Sequence, residues 1–141
     1  MKWVTWQNVG IDRIACAWLI QKYIDPDAIF SFIEYGEEVP EDAGTPFDIP
    51  GSKYTHRRGR CSFNTFLKEF KLDDKILTEI AVIIDGADCV NELFPAPESF
   101  GLEALCVGLR KYLKNDQLAI EQGKLLYESL YAFLKDRANG N

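Results

Sequence analysis

Gly10-Ile11-Asp12-Arg13-Ile14-Ala15-Cys16-Ala17-Trp18-Leu19-Ile20-Gln21-Lys22-Tyr23-Ile24-Asp25-Pro26 is the stretch on which the fold turns. From Ile14 to Ile20 no side chain is charged or strongly polar, so a helix here is apolar on every face and belongs inside the protein. Its first turn nevertheless carries an adjacent acid and base, Asp12 and Arg13. Polar groups at the start of a buried helix lie beside its unsatisfied N–H groups, a setting suited to chemistry. A local ion pair or a helix cap explains the two without any function. So close to an apolar run, however, isolated charges are costly and need partners from elsewhere in the chain.

Working outward, Trp3-Val4-Thr5-Trp6 is aromatic and β-branched and reads as a strand, with Gln7-Asn8-Val9-Gly10 turning into the helix. Asp25-Pro26 stops that helix, and Ala28 to Tyr35 reads as a second strand. Strand, buried helix, strand predicts a parallel βαβ unit. From Gly36 to Gly59 acids, prolines and glycines mark a long irregular loop, with Phe47-Asp48-Ile49 a candidate short strand. A loop of this length in a compact domain tends to be functional.

Beyond Cys61, helical spacing predicts a helix through Phe63, Phe66, Leu67 and Phe70, capped by Ser62. Another runs from about Asp73 to Ile84, capped by Asp73 or Asp74, and Asp85-Gly86-Ala87-Asp88 ends or interrupts it. After Pro95-Ala96-Pro97, two amphipathic helices follow, about Glu98 to Lys114 and Asp116 to Arg137. The expected architecture is α+β: one helix-rich domain over residues 1–141, with a small sheet in a βαβ-like N-terminal unit and C-terminal helices.

The 141 residues are enough for one core, and 47% hydrophobic content fits a packed globular chain. A net charge of −6 argues against a broad nucleic-acid or anionic-membrane surface. No run approaches the roughly 20 apolar residues of a membrane span, and the first residues do not resemble an export signal. The four cysteines, Cys16, Cys61, Cys89 and Cys106, form no CxxC pair and are expected to be free thiols in a reducing cytoplasm. With His56 the sole histidine, a multi-histidine metal site is excluded.

Three further groups carry possible chemistry. Lys53-Tyr54-Thr55-His56-Arg57-Arg58-Gly59-Arg60 is the basic concentration of the chain, and arginine forks suit tetrahedral oxyanions. The simpler reading is a solvated turn whose arginines pair with Glu37, Glu38, Glu41 and Asp42. Asp85 and Asp88, three apart, share a helix face if the helix continues, and with His56 they make a donor set for manganese, iron or zinc. The simpler reading is a cap and an exposed helix end. Cys61 follows a run of positive charge that would lower a thiol pKa and make it the better redox candidate. Yet Phe63 and Phe66 beside it look like core and favour a structural role, and Cys16 reads as an inert packing residue.

Ile11-Asp12-Arg13-Ile14-Ala15-Cys16-Ala17-Trp18-Leu19-Ile20, then Pro46-Phe47-Asp48, His56-Arg57 and Cys61-Ser62-Phe63, resemble the chromate-resistance family, specifically the C-terminal domain of ChrB-type proteins. Gly86-Ala87-Asp88, Gly101-Leu102-Glu103-Ala104 and Leu126-Tyr127 add to the match. Two departures stand in the same region: Asn64 where an acid commonly follows Cys-Ser/Thr-Phe, and Arg58 between His56-Arg57 and Gly59. The resemblance implies a bacterial protein associated with chromate resistance. Full-length members carry an additional N-terminal regulatory region, and its DNA-contacting role is not carried over to this sequence.

The resemblance also draws Asp12, Arg13, Asp48, His56, Arg57, Cys61 and Asp88 into one assembled site. Three functions stay open. In the leading one, a cytoplasmic domain binds chromate or a related small oxyanion through Arg13, His56 and Arg57. In the second, a metal-dependent enzyme or metal-binding domain holds a divalent manganese, iron or zinc ion at His56, Asp85 and Asp88, with Asp12 or Asp48 nearby. In the third, Cys61 reduces chromate with an outside electron source, since no flavin or nicotinamide motif is present. A homo-oligomer is compatible with each.

Overall fold

The computed structural model describes residues 1–89 and 94–140. Its elements run β1 (Lys2–Trp6), α1 (Ile11–Leu19), a π-helical turn (Ile20–Ile24), β2 (Ile29–Ile33), β3 (Thr45–Pro46), α2 (Ser62–Glu69), α3 (Lys75–Asp88), α4 (Ser99–Leu113) and α5 (Asp116–Ala138). The architecture is α+β, with the expected βαβ unit at its start.

The sheet has the order β2-β1-β3 and is parallel throughout, Lys2 pairing with Ile29 and Trp3 with Thr45. Because α1 connects β1 to β2 on one side, and the chain then crosses to β3 on the other, the strand order reverses at β1. In open parallel sheets such a reversal leaves a crevice beyond the carboxyl ends of the strands. Here the β1 end leads to Asp12, and the β3 end to Asp48.

Helix α1 is the buried rod its composition predicts: Ile14, Ala15, Cys16, Ala17, Leu19 and Ile20 have no exposed surface. Trp18 stacks between Phe63 and Tyr127, at centroid distances of 6.4 and 5.6 Å. On one side α5 comes so close that a Cβ on Gly123 would meet Ile14 Cγ2 at 2.2 Å, so glycine is needed there. Tyr127 donates its buried hydroxyl to the Ile11 carbonyl at 2.6 Å, fixing where α1 begins.

Several local expectations shift. The third strand is Thr45–Pro46 rather than Phe47-Asp48-Ile49; Phe47 instead makes a single bridge to Tyr54. Ser62 is the first helical residue of α2, not its cap, and its hydroxyl goes to Asp48. Asp74 caps α3, accepting from the N–H groups of Ile76 and Leu77. That helix runs on through Asp88, so Asp85-Gly86-Ala87-Asp88 is its last turn rather than its end. Ala81 and Ile84 bury fully along the same helix, and this packing carries the helical path past Gly86.

Candidate functional site

Asp12 is 3% exposed and sits in the first turn of α1. Its carboxylate faces the first turn of α2, where Oδ2 accepts from Ser62 N–H at 2.8 Å and Oδ1 from Phe63 N–H at 3.0 Å. Helix starts present unpaired N–H groups and a positive dipole end, so a neighbouring element supplies the anion that α2 lacks in its own cap. The same Oδ2 lies 3.0 Å from His56 Nε2.

Asp48 follows β3 with φ of 52°, a left-handed conformation that aspartate tolerates better than most residues. Thr5 Oγ1 donates to the preceding Phe47 carbonyl at 2.7 Å, and Asp48 N–H donates to the Tyr54 carbonyl at 2.7 Å. The side chain is held by Ser62 Oγ, which donates to Oδ1 at 2.5 Å, and by Arg13 Nε, 3.1 Å from Oδ2. Arg13 also donates from Nη2 to the Asp48 carbonyl and lies over the Trp6 ring, 5.8 Å from its centroid. The adjacent pair Asp12 and Arg13 is therefore not paired with itself; each serves a different part of the chain.

Asp88, on the last turn of α3, brings Oδ2 to 3.1 Å from His56 Nε2, and Asp48 Oδ1 is 3.6 Å from the same nitrogen. Three carboxylates thus converge on one imidazole nitrogen, which has a single proton to offer. Ligand atoms of Asp12, Asp48 and His56 all lie within 4.8 Å of one another. Hydrogen bonds to Asp12 and Asp88 raise His56 from an ordinary 6.5 to about 10. Burial, then the Asp12 charge, raises Asp48 from 3.8 to about 7. Favouring the charged form of His56 and the neutral form of Asp48 relieves this crowding.

The convergence lines a cavity of about 590 Å3 together with Trp6, Asn8, Gly10, Ile11, Arg13 and Tyr35. Of the sequence-derived candidates, Asp12, Arg13, Asp48, His56 and Asp88 meet there. Asp85 does not. It is 4% exposed and turns to Arg60, whose Nε is 2.5 Å from Oδ2, and to the Cys61 N–H at 2.9 Å. Arg57 leaves the cavity for Glu69, at 2.6 Å, and the Lys53 carbonyl. These arginines pair with Glu69 and Asp85 rather than with the acids of residues 37–42. Cys61 has no exposed surface, and burial followed by the Asp12 and Asp85 charges pushes its thiol well up. The lowering expected from neighbouring arginines is reversed, because Arg57 and Arg60 are engaged by carboxylates and the sulfur is dry.

Sequence reasoning passed over Ser62 as a bridge and Trp6 and Tyr35 as cavity wall. Trp6 ends β1, where side chains border the crevice, and that position was the available signal.

The model of the family described as ChrB, C-terminal domain, matches residues 3–134. The chain belongs to the ChrB C-terminal domain family. The chain is 38% identical over 131 residues to Protein ChrB of Cupriavidus metallidurans, covering 92% of itself and 40% of that protein. It therefore spans well under half the length of this ChrB relative. No solved structure matches.

Proposed function

We propose that this ChrB-type domain binds one divalent transition-metal ion at His56, Asp12, Asp48 and Asp88, and serves chromate resistance in the bacterial cytoplasm through that ion. One observation carries the reading: three carboxylates approach His56 Nε2 within 3.0 to 3.6 Å, more acceptors than one N–H can satisfy. A cation in place of that proton would satisfy all four groups. One nitrogen with carboxylate oxygens suits manganese, iron or zinc. The supporting contacts are of the kind that orient metal ligands: Ser62 and Phe63 N–H hold Asp12, while Arg13 and Ser62 hold Asp48.

Bound there, the ion would polarise an oxygen ligand as a Lewis acid. The chain's own residues fix the donors, exclude water behind Asp12 and bring Arg13 to the cavity wall. Oxyanion binding is the second reading, favoured by Arg13 at that wall. It loses Arg57 to Glu69, and three carboxylates repel a dianion. Thiol reduction through Cys61 lacks an accessible sulfur.

Elemental analysis of protein purified without chelator, followed by calorimetric titration of the stripped protein with manganese, iron(II) and zinc, tests the metal reading. About one equivalent bound by wild type and lost in Asp12→Asn and His56→Ala is the expected result. Metal-free protein whose melting temperature ignores all three ions overturns it. Parallel titration with chromate, sulfate and phosphate measures the oxyanion reading separately.

A further inference from the structure

The cavity continues well past the His56 corner. Its 590 Å3 lies within the range of about 300–1,000 Å3 that small organic ligands occupy. An ion with a few waters, each of roughly 30 Å3, needs far less.

Away from the carboxylates the lining becomes aromatic. Trp6 and Tyr35 lie 4.8 Å apart between ring centroids, tilted by 53°. The indole is locked in place by Nε1–H donating to the Glu37 carbonyl at 2.9 Å, and the Arg13 guanidinium lies over the same ring. Tyr35 is largely exposed, so this face is open to an incoming molecule. Gly10 makes room beside it. Its φ of −133° is ordinary extended backbone, and a Cβ there would meet no atom within 4 Å. Neither conformation nor packing demands glycine at this position; the space a side chain would take belongs to the cavity.

Charge narrows the ligand class. With a divalent ion and a neutral His56, the carboxylates of Asp12, Asp48 and Asp88 are balanced by the ion and Arg13. Arg13 is already committed to Asp48, through Nε at 3.1 Å and through Nη2 to its carbonyl. A compact dianion therefore finds a metal but no free cation. A flat ring with neighbouring oxygens finds the metal at one end and an aromatic wall at the other.

We propose that the cavity takes a planar aromatic oxygen chelator, of the salicylate or catechol class, its oxygens on the metal and its ring against Trp6 and Tyr35. This rests on the metal reading above. The probes are salicylate and catechol, with acetate and sulfate as non-aromatic controls, titrated into manganese-loaded protein by calorimetry and tryptophan fluorescence. Manganese uptake is measured first. Salicylate or catechol is expected to bind at least about tenfold more tightly than acetate. Trp6→Ala and Gly10→Val each lose about tenfold of that affinity while manganese affinity stays within about threefold. Loaded protein that prefers neither aromatic probe over acetate overturns the proposal and leaves the metal reading standing. Unchanged aromatic binding in both variants overturns it as well. Absence of manganese, iron(II) and zinc uptake by wild type overturns both together.

Discussion

Asp12 and Asp85 are the same residue type, nearly equally buried, and both accept backbone N–H groups at the start of α2. Their surroundings separate them. Asp85 meets Arg60, the Cys61 N–H and the Cys89 thiol, so its charge is matched and it points into packed structure. Asp12 meets two N–H groups and then shares His56 with two more carboxylates at the wall of a cavity. Burial alone does not mark a site. The mark is an excess of like charge that the protein's own cations leave only partly answered, next to space for something else.

The largest effect that would break this comparison is on metal affinity. Asp12→Asn is expected to weaken it by about 100-fold or more, and Asp85→Asn by about threefold or less. Both should cost stability by a similar amount, about 1–3 kcal/mol, because each leaves buried α2 N–H groups poorly satisfied. Calorimetry for the metal and urea melts for stability read the two quantities apart. Equal metal loss in both variants would erase the distinction.

Next comes pH. His56, raised to about 10, contributes stability that is fully present below 6.5 and lost as pH climbs through 10. Asp48, raised to about 7, likewise favours its protonated form, and that contribution fades as pH rises through 7. Metal binding needs both groups deprotonated. The melting temperature of metal-free protein should therefore fall from pH 6 to pH 10, and the gain on adding manganese should widen over about the same range. In His56→Ala the fall above pH 7 should flatten. Thermal melts across this range check both points.

The smallest effect belongs to the outward-facing arginine. Arg57→Ala loses an exposed pair with Glu69, so it should change stability by about 1 kcal/mol or less and leave metal affinity unmoved. A large loss of metal or anion binding would return Arg57 to the site.

Much of this was legible in advance because it depends on local pattern. The apolar run from Ile14 to Ile20 dictated a buried helix, and the alternation around it dictated a βαβ start. The polar head at Asp12 and Arg13 advertised partners elsewhere. Ser62 was misread as a cap because serine before an apolar run usually is one, whereas here the neighbouring Asp12 does the capping. At Cys61 the core neighbours Phe63 and Phe66 point correctly to a buried, structural thiol. The lowering expected from adjacent arginines is reversed, because sequence does not reveal where their guanidinium groups go.

By itself, then, the sequence determined the α+β class, the rod at the centre and the residue types available for a site. Only tertiary structure decided which aspartates share the imidazole. Asp12 lies on α1, Asp48 in the segment after β3 and Asp88 on α3, and carboxylate repulsion acts over a few ångströms of space rather than along the chain. Asp85 stands three residues before Asp88 on the same helix, and it is drawn away from His56 by Arg60 and the Cys61 N–H.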